Sequence, residues 1–170
     1  MTATLGDILL VFLADSPGSA YELRQRHAQT FGADRGVDVL RVVASLTRQE
    51  RLGHVRASGR RRGPRTYTLT ENGQRRQRAW MLDVPADASG PDVLDRVLLA
   101  MAATDRVTFD AVVASCLVAL ESQRARPASR RREVVSAPDA RAELEAMMAS
   151  SAIRWVRHLA GRRRERDAAA

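Results

Sequence analysis

Apolar residues recur at helical spacing in most of this chain and alternate with polar ones in only one short region. Leu5, Ile8, Leu9, Phe12 and Leu13 mark a first helix, which Ser16-Pro17-Gly18 stops in a turn. Ser19 and Glu22 have the spacing of a capping box, and Ala20, Leu23, His27 and Phe31 follow on one face until Gly32. Asp38 is suited to cap a third helix that ends before Gly53. Its Val39, Val42, Val43 and Leu46 fall on one side, with Arg41, Ser45 and Arg48 in an arc opposite. His54 to Ser58 and Thr66 to Thr70 then alternate as two half-buried strands, with Val55, Ala57, Tyr67 and Leu69 on the core face. The hairpin tip between them carries Arg60, Arg61, Arg62 and Arg65.

A fourth helix is predicted over Glu71 to Leu82, with Trp80 near its end. Residues 83–91 have two prolines and no hydrophobic period, and the domain boundary is placed there. Three further helices are predicted: Asp92 to Thr104, Thr108 to Arg126 and Asp139 to Arg166, with the last two separated by a proline- and arginine-rich break. The middle one has Phe109, Val112, Val113, Cys116, Leu117 and Leu120 as its stripe. The last presents Leu144, Met148, Ala152, Trp155, Val156 and Leu159. The predicted fold class is therefore mainly α with a small β-hairpin. An N-terminal winged helix-turn-helix unit (1–82) is expected, followed by a linker (83–91) and a C-terminal helical domain (92–170).

Charge sharpens this picture. The net charge is +8, and all 28 basic residues are arginine. Residues 1–82 hold 14 arginines against 7 acids, and the rest of the chain 14 against 13, so the basic excess belongs to the N-terminal part. A one-sided basic field attracts polyanions without conferring specificity. The absence of lysine from both halves fits a codon bias better than selection for bidentate contacts. Arg41, Ser45 and Arg48, with Thr47 beside them, are the candidates for base-edge contacts in double-stranded DNA. Arg60, Arg61, Arg62 and Arg65 are the candidates for the backbone or a narrow minor groove.

The order and spacing of several strings resemble the PadR-like family of winged-helix transcriptional regulators. These are Leu5-Gly6-Asp7-Ile8-Leu9-Leu10, Gly18 with Tyr21-Glu22-Leu23, Leu46 to Val55, Tyr67 to Gly73 with Trp80, and Ser151 to Val156. The departures are Leu40 and Val43, where the family has a small residue and then a tyrosine, and Gln49, where a leucine is common. The resemblance implies a homodimeric repressor on a palindromic operator, paired through its C-terminal helices and relieved by a small molecule. Apolar stripes too long for one short domain also favour pairing, with Phe109, Val113, Leu117, Leu120, Leu144, Met148, Trp155 and Leu159 as the expected interface. A small hydrophobic or planar effector would lie between the two units, against Trp80, Met101, Met147, Met148 and Trp155.

Other classes find less support. His27, His54 and His158 have no metal-ligand spacing, and no nucleophile motif or phosphate loop is present, so neither an enzyme nor a metal or other cofactor is expected. The longest apolar runs are too short to span a bilayer, and Asp7 sits where a signal peptide needs positive charge. A soluble, cytoplasmic protein is expected, with Cys116 a buried thiol. The alternative function is a winged-helix protein-interaction module without specific DNA binding.

Overall fold

The computed structural model describes residues 4–59, 65–85, 88–125 and 136–168. Helix α1 (Leu5–Asp15) is capped by Thr4, whose hydroxyl accepts from the Asp7 amide. Apart from Asp7 its buried run is apolar on every side, and every residue from Gly6 to Leu13 is buried. A helix of this kind belongs at the centre of a core. Indeed α1 packs against elements on both sides of the 83–91 segment.

Strand β1 (Gly18–Ser19) leads directly into α2 (Ala20–Phe31). The Ser19–Glu22 capping box forms as expected, and α2 ends at Gly32 with φ 88°. Leu23, His27 and Phe31 are its buried face. A single 3-10 turn (Ala33–Arg35) connects to α3 (Val39–Arg51), capped by Asp38. The exit from α3 turns at Gly53, φ 72°, where the Gly53 amide donates to Glu50 and the His54 amide to Gln49. The left-handed conformation there favours glycine.

Strands β2 (Val55–Ser58) and β3 (Thr66–Leu69) pair antiparallel, Val55 opposite Leu69 and Ser58 opposite Thr66. The hairpin is in fact part of a three-stranded sheet in the order β1-β3-β2, with Gly18 opposite Tyr67. Thr70 locks the sheet to α4 (Glu71–Leu82): its hydroxyl donates to the Gly53 carbonyl at 2.6 Å and accepts from the Gly73 amide. A side chain on Gly73 would overlap the His54 carbonyl, so the junction needs glycine for its close approach.

Helices α5 (Gly90–Ala103), α6 (Arg106–Arg124) and α7 (Ala137–Ala168) complete the chain. α6 packs on α5 and α7, while α5 also lies against α1 and α2, and α6 against α4. One apolar cluster runs from Leu9 and Phe12 through Trp80 and Met81 to Val93, Val97 and Phe109. The Cys116 thiol lies wholly inside it, and burial pushes its pKa up to about 12, so it stays protonated and unreactive at neutral pH. No helix among the described residues is long and apolar enough to cross a membrane.

The α6 stripe, expected in a core shared by two chains, packs against this chain's own helices. Phe109, Val113 and Leu120 are buried within the single chain. Arg163 from α7 lies over the Phe109 ring at 4.4 Å and donates to the Thr104 carbonyl at the end of α5, closing that face. The last helix carries two stripes where the sequence pattern suggested one. Ala149, Ile153, Val156 and Ala160 face inward, whereas Leu144, Met147 and Met148 are exposed.

His27 is 4% exposed, and its Nδ1 has no hydrogen-bond partner among the described residues. Burial, and then the positive charge of Arg35, hold its pKa below the ordinary 6.5, against a weaker opposing pull from Asp95. A base whose pKa is lowered by folding leaves the unfolded chain binding more protons. Its contribution is intact above the unfolded pKa and falls as pH drops through it. Denaturation midpoints should therefore decline as pH falls through about 6.5, and a His27→Leu variant should show a flatter profile. Parallel profiles for the two proteins would exclude His27 as a source of the acid sensitivity.

Candidate nucleic-acid interface

The inward face of α3 is Val42, Leu46 and Gln49. Gln49 accepts from, and so assigns the tautomer of, the His54 ring: its Oε1 is 2.7 Å from Nδ1, which makes Nδ1 the donor. A side chain on Gly6 would overlap the Gln49 amide, so α1 and α3 approach closely at this pair. A leucine could not make the bond to His54.

With that face inward, the outward ridge of α3 follows from helix periodicity. Leu40, Ala44, Thr47 and Arg51 form it, flanked by Arg41 and Arg48, and all six are exposed. Leu40 is 71% exposed. Arg41, Thr47 and Arg48 thus lie where the sequence arc placed them, although the Thr47 hydroxyl turns back to donate to the Val43 carbonyl at 2.9 Å. Ser45 differs. It is half-buried and near Gly6, at the edge of the inward face. Val43, assigned to the core by sequence, is 38% exposed. Both shifts have one cause: buried Gln49 rotates the core face away from Val43 and toward Ser45. Leu40, Ala44 and Arg51 were missed because an arc drawn opposite four valines and leucines omitted them.

Beside α3, Arg56 on β2 and Arg65 before β3 are exposed on the hairpin. Arg60, Arg61 and Arg62 lie outside the described residues. Among the described residues, no ion pair engages Arg41, Arg48, Arg51, Arg56 or Arg65. Other arginines are committed elsewhere. Arg76 on α4 pairs with the buried Asp7 at 2.8 Å, and Arg26 donates to the Phe12 and Ser16 carbonyls at 3.1 and 2.9 Å.

The residues expected to form one effector pocket are not brought together. Trp80 is buried beneath the Arg96 guanidinium, 4.2 Å from its ring, and Met101 is exposed on the last turns of α5. Met147, Met148 and Trp155 line a groove of about 560 Å³ with Leu94, Leu144, Ser151 and Ala152. A neighbouring cavity of about 620 Å³ shares Leu94, Met148 and Ala152 and adds Ser89, Gln123, Arg141 and Glu145. Leu117 and Leu159 are partly buried against the core. Of the residues expected at a dimer interface, Leu144 and Met148 remain widely exposed, and Trp155 partly so.

Among solved structures, the chain is similar to PadR of Bacillus subtilis in complex with operator DNA, at 14% identity and a TM-score of 0.41, over 92% of this chain and 98% of that one. It is also similar to a PadR-like transcriptional regulator from Bacillus cereus, at 14% identity and a TM-score of 0.38, over 92% and 96%. No protein-family model matches the chain, and no curated protein does.

Proposed function

We propose that this protein is a sequence-specific DNA-binding regulator of transcription. The observation that carries the reading is the outward face of α3, where Arg41, Arg48 and Arg51 frame an exposed Leu40–Ala44–Thr47 ridge and pair with no described acid. A small ridge lets the helix enter a major groove, and free guanidinium forks match guanine edges or phosphates. Arg56 and Arg65 place the hairpin beside it as a wing against the backbone.

On this reading the protein acts as a homodimeric repressor. A second copy covers the Leu144–Met147–Met148 face and the half-buried Trp155, and the two α3 helices meet the half-sites of a palindrome. A small hydrophobic effector would be enclosed in the groove on that face, between Met147, Met148 and Trp155 and the covering copy.

Selection of bound duplexes from a random pool tests the reading. Recovery of a palindrome is the expected result, and a pool with no enriched sequence would leave a protein-interaction module as the better account. On the recovered site, replacing the wing's Arg56 and Arg65 by alanine should weaken all duplexes alike. The log-log salt slope should shrink by about 0.9 for each phosphate that is no longer neutralised. An unchanged slope removes the hairpin from the backbone.

A further inference from the structure

One charged contact ties the turn before α3 to the second half of the chain. Arg35 Nη1 and Nη2 donate to the two carboxylate oxygens of Asp95 at 2.6 and 2.7 Å, a parallel fork. Asp95 is 6% exposed, whereas the Arg35 side chain is about half exposed. The guanidinium also lies over the Phe31 ring, 4.7 Å from its centroid, so both its plane and its edge are fixed. Most exposed ion pairs contribute little, but a bidentate pair with one partner buried and a ring beneath it is held in a single geometry.

We propose that Asp95 is a positioning residue for DNA recognition: by clasping Arg35 it fixes the turn that sets where α3 lies. Arg35 closes the 3-10 turn, three residues before the Asp38 cap of α3, so its place dictates the start of that helix. Asp95 is on α5, in the other half of the chain. Its neighbours extend the coupling. Leu94 lines the groove on the α7 side, and Arg96 lies buried on Trp80 of α4. Three successive residues of α5 thus touch the groove, the turn before α3 and the helix after the wing.

The inference rests on the DNA-binding reading, and the electrostatic alternative makes the opposite forecast. If Arg35 were only a phosphate-binding arm restrained by an acid, Asp95→Asn would free a cation and remove a negative charge, tightening every duplex. Without the clasp, α3 can shift, which weakens the matched site selectively. Arg35→Lys offers a second variant that keeps the net charge, sits at a half-exposed position and lacks the fork.

The experiment measures the affinities of wild type, Asp95→Asn and Arg35→Lys for a duplex selected from a random pool and for a generic duplex, well below the melting temperature. Each variant should lose on the order of tenfold on the selected duplex, with little change on the generic one, so that the ratio between them falls. An Arg35→Gln/Asp95→Asn double variant should be no weaker than Asp95→Asn alone, since the two act as one unit. Tighter binding by Asp95→Asn, or equal losses on both duplexes, overturns the clasp. A wild type that prefers the selected site while both variants match it overturns the clasp alone. A wild type that binds no duplex overturns the DNA reading with it.

Discussion

Replacing Phe12 by alanine should destabilise the protein by about 3–5 kcal/mol, the range for truncating a large buried aromatic. The ring is 2% exposed, and it lies in a run from Ile8 to Leu13 in which no residue exceeds 5%. α1 therefore has no free face toward which neighbours could relax into the void. It packs against α3, α4 and β3 in the N-terminal half and against α5 beyond it, so a cavity at its centre loosens both halves. With total stabilities of about 5–15 kcal/mol usual for folded domains, this single truncation should take up much of the margin. Denaturant titration followed by circular dichroism checks it, with Val107→Ala as the control. Val107 is 80% exposed, and its truncation should fall within about 0.5 kcal/mol of wild type. Equal midpoints for the two variants would contradict the placement of α1 as the central helix.

The elements were legible where a residue's own chemistry forces a boundary. The Ser19–Glu22 box, the Asp38 cap and the left-handed glycines at 32 and 53 all act within one helical turn, so a linear reading finds them. β1 was not legible because it is two residues long, and its existence depends on pairing with Tyr67 and Thr66 far along the chain. Gln49 illustrates a different failure. A polar residue in the last turn of a helix reads as exposed, and its burial depends on His54 supplying a partner for the amide oxygen. Leaving Gln49 out of the inward face displaced the inferred core by part of a turn, which put Val43 inside and Ser45 outside. On the long α7, Leu144, Met148 and Trp155 merged with Val156 and Leu159 into one apparent stripe. Only the position of α6 separates the face that the chain covers itself from the one it leaves exposed. Arg35 and Asp95 were not singled out at all, since nothing local relates two charges sixty residues apart.

Loss of the α3 arginines should have the largest effect on DNA binding. Each of Arg41, Arg48 and Arg51 replaced singly by alanine should cost about 1–3 kcal/mol on the recognised site if it reads a guanine, and should flatten preference at one base position. Arg48 and Arg51 lie three residues apart on adjoining turns, so they can address neighbouring bases or one base and a phosphate. The Arg48→Ala/Arg51→Ala pair should then reduce affinity by roughly 30-fold or more, given that 1.4 kcal/mol corresponds to a factor of ten. All three arginines are exposed and none is in an ion pair with a described residue, so stability should change by less than about 0.5 kcal/mol and the loss can be assigned to the interface. Leu40 provides the complementary test. An exposed leucine on the same ridge suits a thymine methyl group, and Leu40→Ala should relax discrimination at an A·T pair while leaving the salt dependence unchanged, because it neutralises no phosphate. Reselection of sites with each variant shows which base position, if any, each residue reads. If the double arginine variant recovers the parental site with parental affinity, this face of α3 does not enter the groove.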